Sequence, residues 1–265
     1  MKKVNKSNLK KKLRDKKFKN IRNKFTKPVI LNLIEKMIQV IERDVKFSFQ
    51  LGERKFLTEK IYEEYKILNK DIGNIKNKDD LRQVMTDVYK RVDDNIKDIF
   101  DNIGVKVSCS KGCSHCCHQI IGTSFPSLYM ITPHVDENLL ERANEFIEDG
   151  REFGKACVLT RTPCVFLKDN SCSVYQDRPF PCRSYFSVKP AIDCMEHYIN
   201  QKQVLQNSIP SLVVGYGQLM DSITDFVFDS HGYQRIYDKN MAIFILEYHK
   251  TDNFIEKWLN KEDIV

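Results

Sequence analysis

The stretch CSKGCSHCCHQ, Cys109 to Gln119, places four cysteines and two histidines within eleven residues. These cysteines follow one another at intervals that let consecutive thiolates reach one ion, because the intervening chain can turn tightly around it. Gly112, directly before Cys113, eases such a turn. Few apolar patterns run through the neighbouring residues, so we expect ligation of a metal to decide how this part of the chain folds.

All nine cysteines of the chain lie in this one region. They occupy positions 109, 113, 116, 117, 157, 164, 172, 182 and 194, a span of 86 residues. Cysteines that served as ordinary buried side chains would be scattered over the helices, as Leu and Ile are. Clustered thiols in a reducing compartment indicate a metal site or catalysis more often than disulfides, and an odd number of thiols cannot pair completely.

Cys116 and Cys117 are adjacent, which restricts how they bind. Neighbouring side chains point to opposite faces of a strand and are well separated around a helix. Two such thiolates are awkward ligands for a single small ion. The pair therefore indicates either a junction between two sites or a ligand beside a cysteine that does not ligate.

The second half of the region, residues 163 to 185, reads PCVFLKDNSCSVYQDRPFPCRSY. It carries three recognisable elements: Pro163-Cys164-Val165-Phe166-Leu167, then Cys172 with Tyr175, then Arg178-Pro179 with Cys182-Arg183. With the early C-x3-C-x2-C-C, these elements resemble the CxxCxxCC cysteine-cluster family. Its members are YkgJ-like domains to which zinc or iron chelation is ascribed, and flagellin lysine N-methylases are related to it. The resemblance covers roughly residues 105 to 190.

The resemblance implies a set of thiolate ligands: Cys109, Cys113, Cys116, Cys117, Cys164, Cys172 and Cys182. Cys194 joins the set as an eighth candidate by proximity only, and Cys157 is left out as a buried or free thiol. Arg178 and Arg183 could offset the negative charge of a thiolate site and donate to sulfur, or could form surface salt bridges. His115 and His118 are expected to surround the site or face solvent rather than to ligate.

The chemistry of the donor atoms narrows the choice of metal independently of the resemblance. Soft thiolates select zinc, copper(I) or iron–sulfur, and no carboxylate-rich motif favours magnesium or calcium. Four thiolates suit both a structural zinc ion and a four-iron cluster. The surplus of cysteines and the adjacent pair favour an iron–sulfur cluster, with zinc as the alternative.

Two enzyme classes compete with a metal-binding protein of structural or electron-carrying function. The relation to flagellin N-methylases suggests a protein-lysine N-methyltransferase, but no Gly-rich loop between strand and helix is legible. The spacing C-x3-C-x2-C also occurs in S-adenosylmethionine enzymes with a three-thiolate cluster, whose repeating strand–helix barrel is missing here. Asp229, His231 and Tyr233 could line a pocket, although a loop position is the favoured interpretation, and we name no catalytic residue.

Outside the cysteines, apolar residues at helical spacing predict a mainly α protein. We expect a helical bundle that flanks a small irregular Cys-rich metal-binding core with a short β-hairpin. The chain divides into a basic amphipathic arm (1–27), a helical segment (28–104), a Cys-rich domain (105–200) and a C-terminal helical segment packing on the body (201–265).

Individual elements follow from the same patterns. Three helices precede the cysteines: one from Pro28 to about Phe47, one with Thr58 as N-cap, and one from Asp79 or Asp80 to a C-cap at Gly104. Residues 136 to 150 predict a surface helix. Residues 168 to 171 predict the turn of the hairpin.

The net charge of +7 is concentrated in the arm. Residues 1–27 contain thirteen Lys and Arg and one acidic residue, Asp15, whereas the other 238 residues have a net charge of −5. We favour a solvated arm that packs loosely on the body, with an anionic membrane surface, nucleic acid or an acidic partner as alternatives. The lack of an apolar signal region and of a transmembrane run leads us to expect a cytoplasmic protein.

Overall fold

The computed structural model describes residues 14, 16–45, 47–109, 112–152, 162–200, 210–236, 239–250 and 253–262. Most of these residues are helical, which confirms the predicted mainly α class. The helices with defined ends are α1 (Lys27–Val45), α2 (Leu51–Ile72), α3 (Lys78–Ile103), α4 (Phe125–Ile131), α5 (Glu137–Glu152), α6 (Phe180–Ser184), α7 (Ala191–Tyr198), α8 (Ser211–Ser230), α9 (Met241–Lys250) and α10 (Phe254–Leu259). Short 3-10 turns lie at His115–His118, Thr132–His134 and Tyr175–Asp177.

The predicted helix ends are confirmed for α1 and α3 but not for α2. Pro28 lies in the first turn of α1, and Gly104 follows α3 with a φ of 65°, as a C-cap glycine does. The prediction that Thr58 caps α2 is wrong, because the helix begins at Leu51. The Gln50 N–H donates to the Glu53 carboxylate over 2.8 Å, and Thr58 lies inside the helix with its hydroxyl bonded to the Arg54 carbonyl.

Residues group into two compact units along the chain. One unit contains Met1–Val84, Ser222–Arg235 and Asn253–Val265, and the other contains Met85–Asp221 and Ile236–Asp252. This grouping by contact does not test the four-part division by chain order, which stays a prediction.

The first unit has an apolar core between α1 and α2. Ile30, Ile34, Leu57, Ile61 and Leu68 have no exposed surface. The carboxylates of Glu35 and Glu42 on α1 both pair with the Arg54 guanidinium on α2. A second cluster joins the rings of Phe228, Tyr233 and Trp258, with the Tyr233 and Trp258 centroids 4.6 Å apart.

The basic arm packs within this first unit. Residues 16–22 are helical, and the Phe18 ring lies so close to Gly232 that a side chain at position 232 would collide with it. The Arg22 guanidinium donates to the Ser230 carbonyl over 3.3 Å, and the Phe25 and Phe226 ring centroids are 5.1 Å apart. Leu9 and Leu13 of the predicted amphipathic face lie outside the described residues.

The second unit contains two short antiparallel strand pairs. Strand β1 (Gly122–Thr123) pairs with β4 (Lys239–Asn240), and β2 (Leu167–Lys168) pairs with β3 (Ser171–Cys172). The β2–β3 pair is the predicted hairpin. Its turn residues Asp169 and Asn170 have φ angles of 49° and 55°, the left-handed backbone of a two-residue hairpin turn.

Helices enclose these strands in the second unit. Helix α9 packs along α5, and the Phe125 and Phe244 rings meet edge to face at 5.6 Å. No described helix combines the length and the apolarity that crossing a bilayer requires.

Candidate metal centre

Two hydrogen bonds with the Ser187 backbone hold Cys109 and its neighbour Ser108 in place. The Ser108 N–H donates to the Ser187 carbonyl over 2.9 Å, and the Ser187 N–H donates to the Cys109 sulfur over 3.3 Å. Gly112, directly before Cys113, has a φ of 88°, a left-handed conformation that favours glycine.

The adjacent cysteines lie in the 3-10 turn His115–His118. Two backbone bonds close this turn, one from the Cys117 N–H to the Ser114 carbonyl and one from the Gln119 N–H to the Cys116 carbonyl. Helix α7 packs against the turn, and its Cys194 and Tyr198, both buried, contact Cys116 and Tyr185. Successive side chains diverge around such a tight turn, but the thiols of Cys116 and Cys117 remain close enough to hydrogen-bond to each other.

Four thiols from two separate segments line one small cavity. Its lining consists of Cys109, Cys113, Cys116, Tyr185, Ser187, Cys194 and Tyr198. The cavity volume is about 10 Å³, which is room for about one water-sized sphere. Neither His115 nor His118 lines it, in agreement with the expectation that the histidines are not the main ligands.

The remaining described thiols gather on the hairpin side of the 3-10 turn. The Cys164 N–H donates to the Cys117 carbonyl over 2.6 Å, which ties the start of the hairpin segment to the turn. Cys172 lies opposite Leu167 in the hairpin, and Cys182 belongs to the short helix α6. Cys164 lies close enough to Cys172 and Cys182 for their charges to raise its pKa.

Burial keeps these cysteines protonated in the absence of metal. It raises the pKa of Cys109 to about 11 and the pKa values of Cys164 and Cys182 to about 12. The pKa of Cys116 is raised by its hydrogen bond with Cys117 and then by burial. A metal that binds thiolates here must displace these protons, so its apparent affinity rises with pH.

Arg178 and Arg183 are buried beside the thiols. Arg183 donates to the carbonyls of Arg178 and Gln176 and pairs with the Asp93 carboxylate at 2.6 Å. Arg178 donates to the Tyr175 carbonyl, but its buried Nε–H has no partner among the described residues. The Arg178 charge lowers the pKa values of Cys116, Cys172 and Cys182.

The thiols lie in one region, but their side chains do not yet surround a common metal position. Within the described residues, no three His, Cys, Asp or Glu side chains meet in a geometry that could hold an ion. All eight described cysteines are free thiols, and Cys157 lies outside the described residues. The donor set itself fits a sulfur-loving metal, and the unpartnered Arg178 Nε–H fits an anionic group beside it. Binding then requires rotations of cysteine side chains toward the ion.

Several residues of the site were missed at the level of sequence. Tyr185, Ser187 and Tyr198 line the thiol cavity, and Asp93 of α3 carries the countercharge to both arginines. Tyr185 lies two residues after the R-P-x-x-C-R motif, which could have drawn attention to it. Asp93 lies on a helix with many acidic residues, and no sequence signal separates it from the others.

Comparison with protein families bears directly on this region. Residues 108–206 match the family model described as "CxxCxxCC: Putative zinc- or iron-chelating domain". This segment is therefore similar to the CxxCxxCC family. The matched range contains all four thiols of the cavity, the hairpin and both arginines, and we call it the CxxCxxCC domain. The predicted resemblance is confirmed. No curated protein and no solved structure matches the chain.

Proposed function

We propose that this chain is an iron–sulfur protein in which the CxxCxxCC domain holds its cluster through cysteine thiolates. The proposed ligands are Cys109, Cys113, Cys116, Cys117, Cys164, Cys172, Cys182 and Cys194. The observation that carries this function is the gathering of these thiols, from segments far apart in the chain, around the 3-10 turn His115–His118. A bound cluster of this kind would supply one-electron transfer or a structural cross-link.

Arg178 and Arg183 have distinct functions in this proposal. The Arg178 Nε–H, which is buried without a partner among the described residues, donates to a cluster thiolate. Arg183 is already bonded to two carbonyls and to Asp93, so it contributes positive charge near Cys182 rather than a hydrogen bond.

A structural zinc ion is the second candidate, and the cavity volume favours it. About 10 Å³ suits one ion, whereas a four-iron cluster requires the lining residues to move apart. Zinc takes four thiolates in tetrahedral geometry and needs no sulfide.

Anaerobic purification with iron, zinc and acid-labile sulfide analysis tests the proposal. Iron and sulfide in similar amounts, with broad visible absorption, are the expected result. Zinc without sulfide would contradict the iron–sulfur cluster and support the structural zinc ion. A chain that retains neither metal, and takes up neither on anaerobic reconstitution, would contradict metal binding altogether.

A further inference from the structure

The backbone sorts the eight described cysteines into two sets of four. The first set is defined by the cavity that it lines and consists of Cys109, Cys113, Cys116 and Cys194. Its members are held together by the Ser187 contact to Cys109 and by the packing of α7 on the 3-10 turn. None of the other four described thiols lines this cavity.

The second set is defined by the hairpin and the helix that follows it. It consists of Cys117, Cys164, Cys172 and Cys182. Cys164 is bonded through its N–H to the Cys117 carbonyl, and the Leu167 N–H donates back to the Cys164 carbonyl over 2.9 Å, where the hairpin begins. Cys172 lies across the hairpin from Leu167, Cys182 belongs to helix α6, and both are within electrostatic reach of Cys164.

The two sets meet at one peptide bond. Cys116 faces the cavity, and Cys117 belongs to the hairpin side through its carbonyl. In the metal-free chain the thiols of Cys116 and Cys117 hydrogen-bond to each other, so ligation at separate sites requires the two side chains to rotate apart. Four thiolates are the full complement of a zinc ion or a four-iron cluster, so each set is sufficient for one site.

Arg178 lies next to thiols of both sets. Its guanidinium is within electrostatic reach of Cys116 in the first set and of Cys172 and Cys182 in the second. Two tetrathiolate sites that meet at adjacent residues would each carry net negative charge and would repel one another. A buried cation that acts on thiols of both sets offsets that repulsion.

We propose that the CxxCxxCC domain contains two separate four-thiolate metal sites, which share the Cys116–Cys117 dipeptide as their junction. This inference rests on the proposed function, since it assigns the ligands of that same metal-binding region. Of the two interpretations of the adjacent cysteines, it selects the junction between two sites. Cys116 and Cys117 are then both ligands, and each serves a different site.

The test compares Cys113→Ser, which touches only the first set, with Cys172→Ser, which touches only the second. Cys157→Ser is the matched control, since that cysteine belongs to neither set. Each protein is purified anaerobically and loaded with the metal that the wild-type chain retains. Bound metal per chain is measured, and alkylation by N-ethylmaleimide, mapped by mass spectrometry, reports which thiols stay protected.

We expect each variant to lose half of the bound metal and the control to lose none. In Cys113→Ser, the thiols of Cys109, Cys116 and Cys194 become reactive while those of Cys164, Cys172 and Cys182 stay protected. Cys172→Ser shows the reverse pattern. Loss of all metal, with all thiols reactive in either variant, would overturn the two-site assignment.

Native mass spectrometry of the wild-type chain covers the case in which a variant fails to fold. Two bound ions or clusters per chain are expected, and a single one overturns the inference while leaving metal binding intact. A wild-type chain with no metal under any loading condition would instead contradict the proposed function itself, and the two outcomes are therefore distinguishable.

Discussion

Arg183 is one of the largest fully buried side chains among the described residues. Each of its three guanidinium nitrogens donates a hydrogen bond. It lies 3.8 Å from the centre of the Tyr89 ring, pairs with Asp93 and donates to the carbonyls of Arg178 and Gln176. Only a planar group with several fixed donors can satisfy these partners together. The residue therefore holds the segment before α6 in place, directly beside Cys182.

Replacing Arg183 by Lys should destabilise the protein by about 2–4 kcal/mol, because an ammonium cannot reach all these partners and leaves buried carbonyls unpaired. Urea unfolding of the metal-loaded chain measures the change. Arg43→Lys is the control, since Arg43 is exposed and pairs only with Asp44, and it should change stability by less than about 0.5 kcal/mol. Equal effects of the two substitutions would contradict the proposed function of the Arg183 guanidinium.

His231 is buried in the first unit and is surrounded by positive charge. Its Nε2–H donates to the Asn69 side-chain oxygen over 2.9 Å, and its carbonyl accepts the Lys261 ammonium. Burial, followed by the charges of Arg22 and Lys261, lowers the pKa of His231 to about 4. His231 lies in the turn after α8, the loop position that the sequence favoured, and the sequence does not show that Asn69 lies opposite it.

His231 should make the protein lose stability as the pH falls from about 6.5 to 4. In this window the unfolded chain takes up a proton that the folded chain refuses, so unfolding becomes easier by at most about 3 kcal/mol. Urea unfolding of wild type and His231→Gln at several pH values measures this loss. The variant should lack this part of the pH dependence, and identical slopes would argue against the depressed pKa.

Among single residues, the motif cysteines could be predicted from sequence because their spacing is itself the signal. The partners of Arg183 and His231 could not. Asp93 and Asn69 are polar residues on helices that carry many others, and only the folded chain selects them.

At the scale of elements, helix α8 depends on a glycine where α6 approaches it. A side-chain carbon built at Gly217 would lie 2.0 Å from the Ser184 hydroxyl oxygen and 2.2 Å from the Ser184 Cβ. Both distances are far below contact, so α6 packs at this depth only because position 217 has no side chain. Cys182 belongs to α6, and this glycine therefore contributes to the position of a proposed ligand.

Gly217→Ala should destabilise the second unit by about 1–3 kcal/mol and lower metal retention, because α6 must move outward. Thermal unfolding and bound metal per chain measure the two effects. Gly52→Ala is the matched control, since nothing lies within 4 Å of the added methyl group and the residue is also helical. A Gly217→Ala protein with normal metal content would show that α6 does not need this packing.

The elements themselves were largely predictable, with failures that have physical reasons. α1 and α3 follow from regular apolar stripes, and the hairpin follows from its turn residues. The start of α2 was missed because its first turn carries an exposed Leu51 and no apolar stripe. The β1–β4 pair was missed because each strand has two residues, too few for any alternating pattern.

At the scale of the whole molecule, removal of the metal should affect one part of the chain selectively. We expect residues 105 to 190 to unfold while α1 and α2 remain helical, because ligation rather than apolar burial holds the cysteine segments together. Hydrogen exchange measured by peptide, before and after anaerobic chelation, tests this. Peptides of α1 and α2 serve as the internal control, and unchanged protease resistance of the metal-free chain would contradict the prediction.

The pairing of β1 with β4 also has a consequence for biosynthesis. A ribosome releases all nine cysteines well before Lys239 and Asn240, the strand that β1 requires. The second unit therefore cannot close until its thiols have already been exposed to the cell. During that interval the thiols of the open chain can react with either metal or oxidants. The supply of metal at the time of translation therefore decides whether metal or an oxidant reaches the thiols first.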